Sequence, residues 1–220
     1  VAAEPAATPA GIAAFRAAAG LGEGPVLAVL PGSRRGEVAR LAPRFGAALH
    51  LLGRDDLQVI VPTMPHLEET VRAVVADWPG TPRVVTPAGA EKRAAFAAAD
   101  AALAASGTVS LELAAAGTPM VIGYDVHPVT RAIASRMLRI DTFTLVNLVS
   151  ETRAVPEFMG TRCRAELIAP ALARVLAAPD AQRAAMETTM ARLGRGGEAP
   201  GLRAARAVLD GLGRAESASA

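Results

Sequence analysis

Short apolar runs alternate with amphipathic segments along the first 125 residues of the chain. Each run is continuously apolar, as in a parallel strand that is covered on both faces. The segments between the runs repeat apolar residues every three or four positions, which predicts helices. The predicted strands are Pro25–Leu30, Leu57–Pro62, Arg83–Thr86, Ala101–Ala105 and Pro119–Tyr124. The predicted helices are Glu37–Leu52, Leu67–Trp78, Glu91–Ala99 and Val109–Ala116. This alternation predicts an α/β fold, a Rossmann-like doubly wound parallel sheet.

The alternation ends after the fifth predicted strand. Pro128–Ile140 reads as a basic amphipathic helix, either packed on the domain or in contact with an anionic membrane surface. Thr142–Val149 is expected to be extended or loop-like. Three further helices are predicted at Ala165–Ala177, Ala181–Leu193 and Leu202–Leu212. We therefore expect one domain over residues 25–198, preceded by a linker or tail over residues 1–24 with a short helix at Gly11–Ala19. Residues 199–220 are expected to hold the last helix and a frayed tail.

Composition excludes several classes of function. The chain has 220 residues, a net charge of +2 and only 3% aromatic residues, and it has no dense basic run, so nucleic-acid binding is not expected. Cys163 is the single cysteine and the three histidines are far apart, so no disulfide, metal site or cofactor is predicted. No membrane span or signal peptide is apparent. Because the sequence starts with Val1, we expect it to come from a longer protein.

A glycine-containing loop follows the first predicted strand. In Leu30-Pro31-Gly32-Ser33-Arg34, the glycine allows close backbone approach, Ser33 offers a hydroxyl, and Arg34 offers a planar guanidinium. The next helix presents its N–H groups and the positive end of its dipole, a combination suited to phosphate. The alternative is an ordinary turn with a surface arginine.

A second loop repeats this arrangement after the fourth predicted strand. Ser106, Gly107 and Thr108 precede a helix in which Glu112 lies about one turn from the start. A carboxylate there can accept hydrogen bonds from both hydroxyls of a ribose, although Thr108 and Glu112 also approximate a helix cap. Two such loops at one sheet edge predict a ligand with a diphosphate and a ribose.

Asn147 is a polar residue within the apolar segment 144–149. It could bind a sugar or phosphate, or it could satisfy a turn as a buried amide. Glu157, which follows Pro156, could be a charge at the start of a helix. His127 lies after the fifth strand and is a further candidate for a site role. Cys163 is expected to be a buried or inert thiol.

Three sequence stretches together resemble the C-terminal half of the lipid-A-disaccharide synthase family. They are LPGSR before a helix with Glu37, SGTVSLELAAAGTPMVIGY, and TLVNLV…VPEF. These enzymes are glycosyltransferases of the GT-B architecture. The resemblance is close from Pro25 to Cys163 and looser in the final helices. The SGT segment is shared more widely with nucleotide-sugar transferases, whereas LPGSR and TLVNLV in this order are specific.

The resemblance implies condensation of UDP-2,3-diacylglucosamine with 2,3-diacylglucosamine 1-phosphate (lipid X), giving lipid A disaccharide 1-phosphate and UDP. It implies no metal, and it implies catalytic roles for Arg34 and Asn147. The implied nucleotide-binding residues are Gly32, Ser33, Arg34, Ser106, Gly107, Thr108, Glu112 and Asn147. It places the enzyme in the cytoplasm, peripherally on the inner face of the bacterial inner membrane, and it is compatible with a homodimer.

The family's N-terminal domain, which carries the acceptor site and the general base, has no counterpart in this sequence. We therefore expect this chain to bind the donor but to be inactive alone, with the last helix crossing onto the other domain. Two alternatives remain open at this stage. One is another UDP-sugar enzyme of the same architecture, such as a lipid II-type transferase or an epimerase. The other is a non-catalytic UDP-sugar-binding module.

Overall fold

The computed structural model describes residues 1–125, 141–197, 201–202 and 204–209. Within these residues, six parallel strands form one sheet in the order β3-β2-β1-β4-β5-β6. The strands are β1 (Val26–Leu30), β2 (Gln58–Pro62), β3 (Arg83–Val85), β4 (Ala101–Ala105), β5 (Met120–Tyr124) and β6 (Glu157–Met159). The Rossmann-like doubly wound fold predicted from the sequence is thereby confirmed.

Helices cover both faces of the sheet. They are α1 (Pro9–Ala18), α2 (Arg35–Leu52), α3 (Glu68–Val75), α4 (Gly89–Ala97), α5 (Val109–Ala116), α6 (Leu145–Ser150), α7 (Ala165–Ala177) and α8 (Asp180–Arg192), with short 3-10 turns at Pro65–Leu67 and Gly160–Arg162. On β1, Leu27 and Val29 face a core formed with α2, α3 and α7. Val26 and Ala28 face a second core, formed with α1, α4, α5, α6 and α8. Burial on both faces explains why the strands are continuously apolar.

The strand order places the ends of β1 and β4 side by side. Leu27 to Leu30 of β1 pair with Ala101 to Ala104 of β4, with the strands parallel. From β1 the chain proceeds outward through β2 and β3, whereas from β4 it proceeds outward through β5 and β6 on the other side. Loops that leave neighbouring strands in opposite directions create a crevice at the carboxyl edge, where open α/β sheets bind ligands.

The structure differs from two expectations for residues 142–159. Thr142–Val149 was expected to be extended or loop-like, but residues 145–150 form α6. A short helix places Val146 in the core and Leu148 in solvent, whereas the apolar run by itself resembles a strand. Glu157 is not at a helix start, because it opens the edge strand β6, which pairs with β5. Three residues are too few to give a recognisable strand pattern.

The first 24 residues lie against the domain. Phe15 of α1 is buried in the second core, Arg16 donates to the carbonyl of Ala98 at 3.2 Å, and Arg93 forms an ion pair with Glu4 at 3.3 Å. The assignment of residues 1–24 to an interdomain linker remains a prediction. In this structure the segment packs on α4.

Other predictions concern the end of the chain or residues outside the described ranges. Residues 201–202 and 204–209 are helical, and Leu202, Val208 and Leu209 are more than half exposed. The predicted helix Pro128–Ile140 and His127 lie outside the described residues. Among the helices that are described, none is both long and apolar enough to cross a bilayer.

Candidate nucleotide-binding site

A cleft of about 400 Å³ opens at the carboxyl edge of the sheet. Its walls are the loops after β1, β2, β3 and β4 and the first turns of the following helices. Seven predicted binding residues line it together: Gly32, Ser33, Arg34, Ser106, Gly107, Thr108 and Glu112. The cleft thus lies at the crevice that the strand order defines, and both predicted loops contribute to it.

The loop after β1 is organised by Glu37, the third residue of α2. One carboxylate oxygen of Glu37 accepts a hydrogen bond from the Ser33 backbone N–H at 2.9 Å, and the other pairs with the Arg34 guanidinium at 2.8 Å. This is the reciprocal half of a capping box, displaced by one residue. Gly32 has φ +130, and an added Cβ would lie 2.4 Å from the Cβ of Glu37. Glycine is therefore required at position 32.

Arg34 is positioned to change partners. Its side chain is 80% exposed, whereas that of Glu37 is 13% exposed. Glu37 keeps its hydrogen bond from the Ser33 N–H when Arg34 moves, so the exposed guanidinium can exchange Glu37 for an incoming anion. The N–H groups of Glu37 and Val38 donate to the Arg34 carbonyl, which leaves those of Arg35 and Gly36 for an anion at the positive end of the helix dipole.

The loop after β4 forms the opposite wall. Ser110 Oγ donates to the carbonyl of Gly107 at 2.9 Å, which fixes the loop against the start of α5. Thr108 precedes the helix and makes no side-chain capping hydrogen bond, so its hydroxyl is not used in a cap. The alternative interpretation, a side-chain cap between Thr108 and Glu112, is therefore not formed. Instead, Glu112 is paired with Lys92 of α4, with 2.5 Å between Oε2 and Nζ.

The sequence analysis did not identify Lys92 or the part of the cleft formed by the loops after β2 and β3. Lys92 lines the cleft from α4, and Thr63, Met64 and Pro87 line it from the loops after β2 and β3. These loops could have been predicted to line the cleft, because the loops that follow parallel strands all lie at the same edge of the sheet. Lys92 is the only lysine in the sequence, but it belongs to no motif that indicates a binding role.

Asn147 is not among the residues that line the cleft. Its side chain is fully buried, its Nδ2 donates to the carbonyl of Val155 at 2.8 Å, and its Oδ1 accepts from the Val155 N–H at 2.9 Å. Glu157 is nearby and accepts hydrogen bonds from the backbone N–H groups of Phe143 and Thr144, at 3.1 and 2.9 Å. These contacts favour the alternative in which Asn147 secures a turn.

Cys163 is buried against β5, as predicted. Burial raises the pKa of its thiol from 9.0 to about 11. A thiol with so high a pKa is protonated and unreactive at neutral pH. Among the described residues no three His, Cys, Asp or Glu side chains are close enough to share a metal ion.

The parallel six-stranded sheet, with a cleft at its carboxyl edge, defines a Rossmann-like domain, a fold that solved glycosyltransferase structures share. Solved structures that share the fold include the Escherichia coli ADP-heptose lipopolysaccharide heptosyltransferase II, with a TM-score of 0.58 and 12% identity over 80% of this chain and 54% of that one. The calicheamicin glycosyltransferase CalG4 is similar, with a TM-score of 0.54 and 22% identity over 88% of this chain and 44% of that one.

The family model for lipid-A-disaccharide synthetase matches residues 14–202, and the chain belongs to this family. It is 63% identical to the lipid-A-disaccharide synthase of Ruegeria pomeroyi over 218 residues, which are 95% of this chain and 54% of that protein. It is 47% identical to the enzyme of Rhodospirillum centenum over 190 residues, 84% of this chain and 47% of that protein. The chain therefore spans about half the length of the curated relatives it matches.

Proposed function

We propose that this chain is the donor-binding half of a lipid-A-disaccharide synthase and that its cleft holds UDP-2,3-diacylglucosamine. The proposal rests on one observation. The loops after β1 and β4, which both have features suited to phosphate, line one cleft together with Glu112. Membership of the lipid-A-disaccharide synthetase family supports the identity of the donor.

The loops are proposed to hold the diphosphate from two sides. Arg34 leaves Glu37 and pairs with the phosphates, while Ser33 and the start of α2 donate hydrogen bonds. Ser106, Gly107 and Thr108 approach from the start of α5. These donors are in place before the reaction, so they stabilise the negative charge that develops on the leaving UDP.

Glu112 is proposed to bind the ribose. Its side chain lines the cleft and is 29% exposed, and the ion pair with Lys92 engages Oε2, so Oε1 is the oxygen proposed to accept from ligand hydroxyls. Accepting from two vicinal hydroxyls would orient the nucleoside and thus the diphosphate between the loops.

The complete reaction joins the donor to lipid X. A hydroxyl of lipid X attacks the anomeric carbon of the donor sugar, the bond to UDP breaks, and the hydroxyl proton passes to a general base. We propose that the acceptor site and this base belong to a further domain of the synthase, on the cytoplasmic face of the inner membrane. Since both sugars must be held at attack distance, this chain alone is expected to bind UDP without transferring sugar.

Calorimetric titration of UDP into the chain tests the proposal, with Arg34→Ala, Glu112→Ala and Arg54→Ala compared. Arg54 is a matched control because its ion pair with Asp56, 2.6 Å long, precedes β2 and lies at the opposite edge of the sheet. We expect binding to weaken about tenfold or more in the first two variants and to be unchanged in the third. Binding that ignores both cleft substitutions would contradict the proposed site.

A further inference from the structure

Lys92 lines the cleft and contacts two side chains. Its ammonium lies 2.5 Å from Glu112 Oε2 and 5.6 Å from the centre of the Phe96 ring. Phe96 is one turn further along α4 and is buried, so the ring is a fixed platform for the cation. The Lys92 side chain therefore connects α4 to the functional carboxylate on α5.

The charged side chains that line the cleft form two compensated pairs. Arg34 pairs with Glu37, and Lys92 pairs with Glu112, so these four charges sum to zero. A diphosphate that enters such a cleft meets donors and no net negative charge. Without Lys92 the carboxylate of Glu112 would be uncompensated in the cleft that is proposed to hold the phosphates, and like charges repel one another in a partly enclosed site.

We propose that Lys92 is a positioning residue of the donor site. It holds one oxygen of the Glu112 carboxylate against α4, which leaves the other oxygen for the ribose hydroxyls, and its charge cancels the repulsion between Glu112 and the diphosphate. This inference rests on the proposed function, because it assigns Lys92 a role toward the same nucleotide.

A purely structural role for the pair would have a different consequence. Lys92 is 38% exposed and Glu112 is 29% exposed, and ion pairs of this kind contribute little to folding stability. The effect of losing Lys92 should therefore fall on ligand binding, and mainly on the anionic part of the ligand.

Calorimetry with UDP and with uridine separates these roles. In Lys92→Met, we expect UDP affinity to fall about tenfold and uridine affinity to fall about twofold, because only UDP carries phosphates that the uncompensated Glu112 carboxylate repels.

Lys92→Arg, which keeps the charge, should bind UDP with an affinity within about threefold of the wild type. Lys92→Met combined with Glu112→Gln should bind UDP more tightly than Lys92→Met alone, because the carboxylate charge is gone. Arg54→Met serves as the control for a lost ion pair remote from the cleft.

The single lysine also provides a direct probe. With lysine labelled at the ¹³Cε position, one side-chain signal is expected. It should move on addition of UDP and in Glu112→Gln but not in Arg54→Met.

If the wild type binds UDP and Lys92→Met binds it equally well, this inference is overturned and the proposed function stands. Equal losses for UDP and uridine together with a lower unfolding midpoint would also overturn it, in favour of a structural role. If the folded wild type binds no UDP, the proposed function and this inference both fail.

Discussion

Gly32 and Glu37 lie so close together that a methyl group at position 32 would stand 2.4 Å from the Glu37 Cβ and 2.8 Å from its Oε2. This proximity allows the Glu37 carboxylate to accept the Ser33 N–H and to hold Arg34 at the mouth of the cleft. The loop after β1 is thus shaped by a contact between its glycine and the first turn of α2.

Replacing Gly32 with alanine should therefore disturb both stability and binding. We expect the free energy of unfolding to fall by about 2–3 kcal/mol, because the new methyl group displaces Glu37 and the backbone has φ +130. UDP affinity should fall as well, since Ser33 and Arg34 lose their support. Urea denaturation and calorimetry measure the two effects. Gly53→Ala is the control, because Gly53 also has a positive φ (+58) but has no neighbour within 4 Å; it should cost about 1 kcal/mol and leave binding unchanged.

Asn147→Ala should destabilise the fold and spare the nucleotide. The substitution removes both hydrogen bonds to Val155 and leaves its N–H and carbonyl buried without partners, at a cost of about 2–4 kcal/mol. Because Asn147 does not line the cleft, UDP affinity of the folded variant should match the wild type. A variant of normal stability that loses UDP binding would show instead that Asn147 contacts the ligand.

Arg44 and Asp125 form a pair whose loss should be costly. Their side chains are 2.6 Å apart, and Asp125 is 8% exposed at the end of β5, where its backbone carbonyl also accepts from Arg40. Arg44→Met leaves a buried carboxylate without this cation, and we expect a loss of about 2 kcal/mol in the free energy of unfolding. Arg54→Met, which breaks a surface ion pair, should not change stability measurably. Equal urea midpoints for the two variants would contradict this difference.

Cys163 should resist alkylation and make stability depend on alkaline pH. Its thiol has a pKa of about 11 in the folded chain because it is buried, so iodoacetamide should modify native protein far more slowly than unfolded protein at pH 8–9. A raised pKa means that the folded state retains the proton more strongly. Its contribution is therefore fully present below pH 9 and is lost as the pH rises through 11. Cys163→Ala should show a smaller loss of stability over that range, as followed by thermal unfolding.

The sequence predicted the parts of the molecule that repeat a simple pattern. Five continuous apolar runs became β1 to β5, and the loops after β1 and β4 lie together because parallel strands share a carboxyl edge. What could not be predicted depends on tertiary contacts. The helix at 145–150 resembles a strand until Asn147 is seen to bond Val155, and Lys92 gains its partner only when α4 packs beside α5.

A crystal structure of this chain with UDP would show directly whether the cleft is the nucleotide site. We predict the diphosphate between residues 32–34 and 106–108, with Arg34 turned from Glu37 to a phosphate and the ribose hydroxyls on Glu112. Nucleotide bound elsewhere on the chain, or bound in the cleft with Arg34 still on Glu37 and no contact to Glu112, would contradict it.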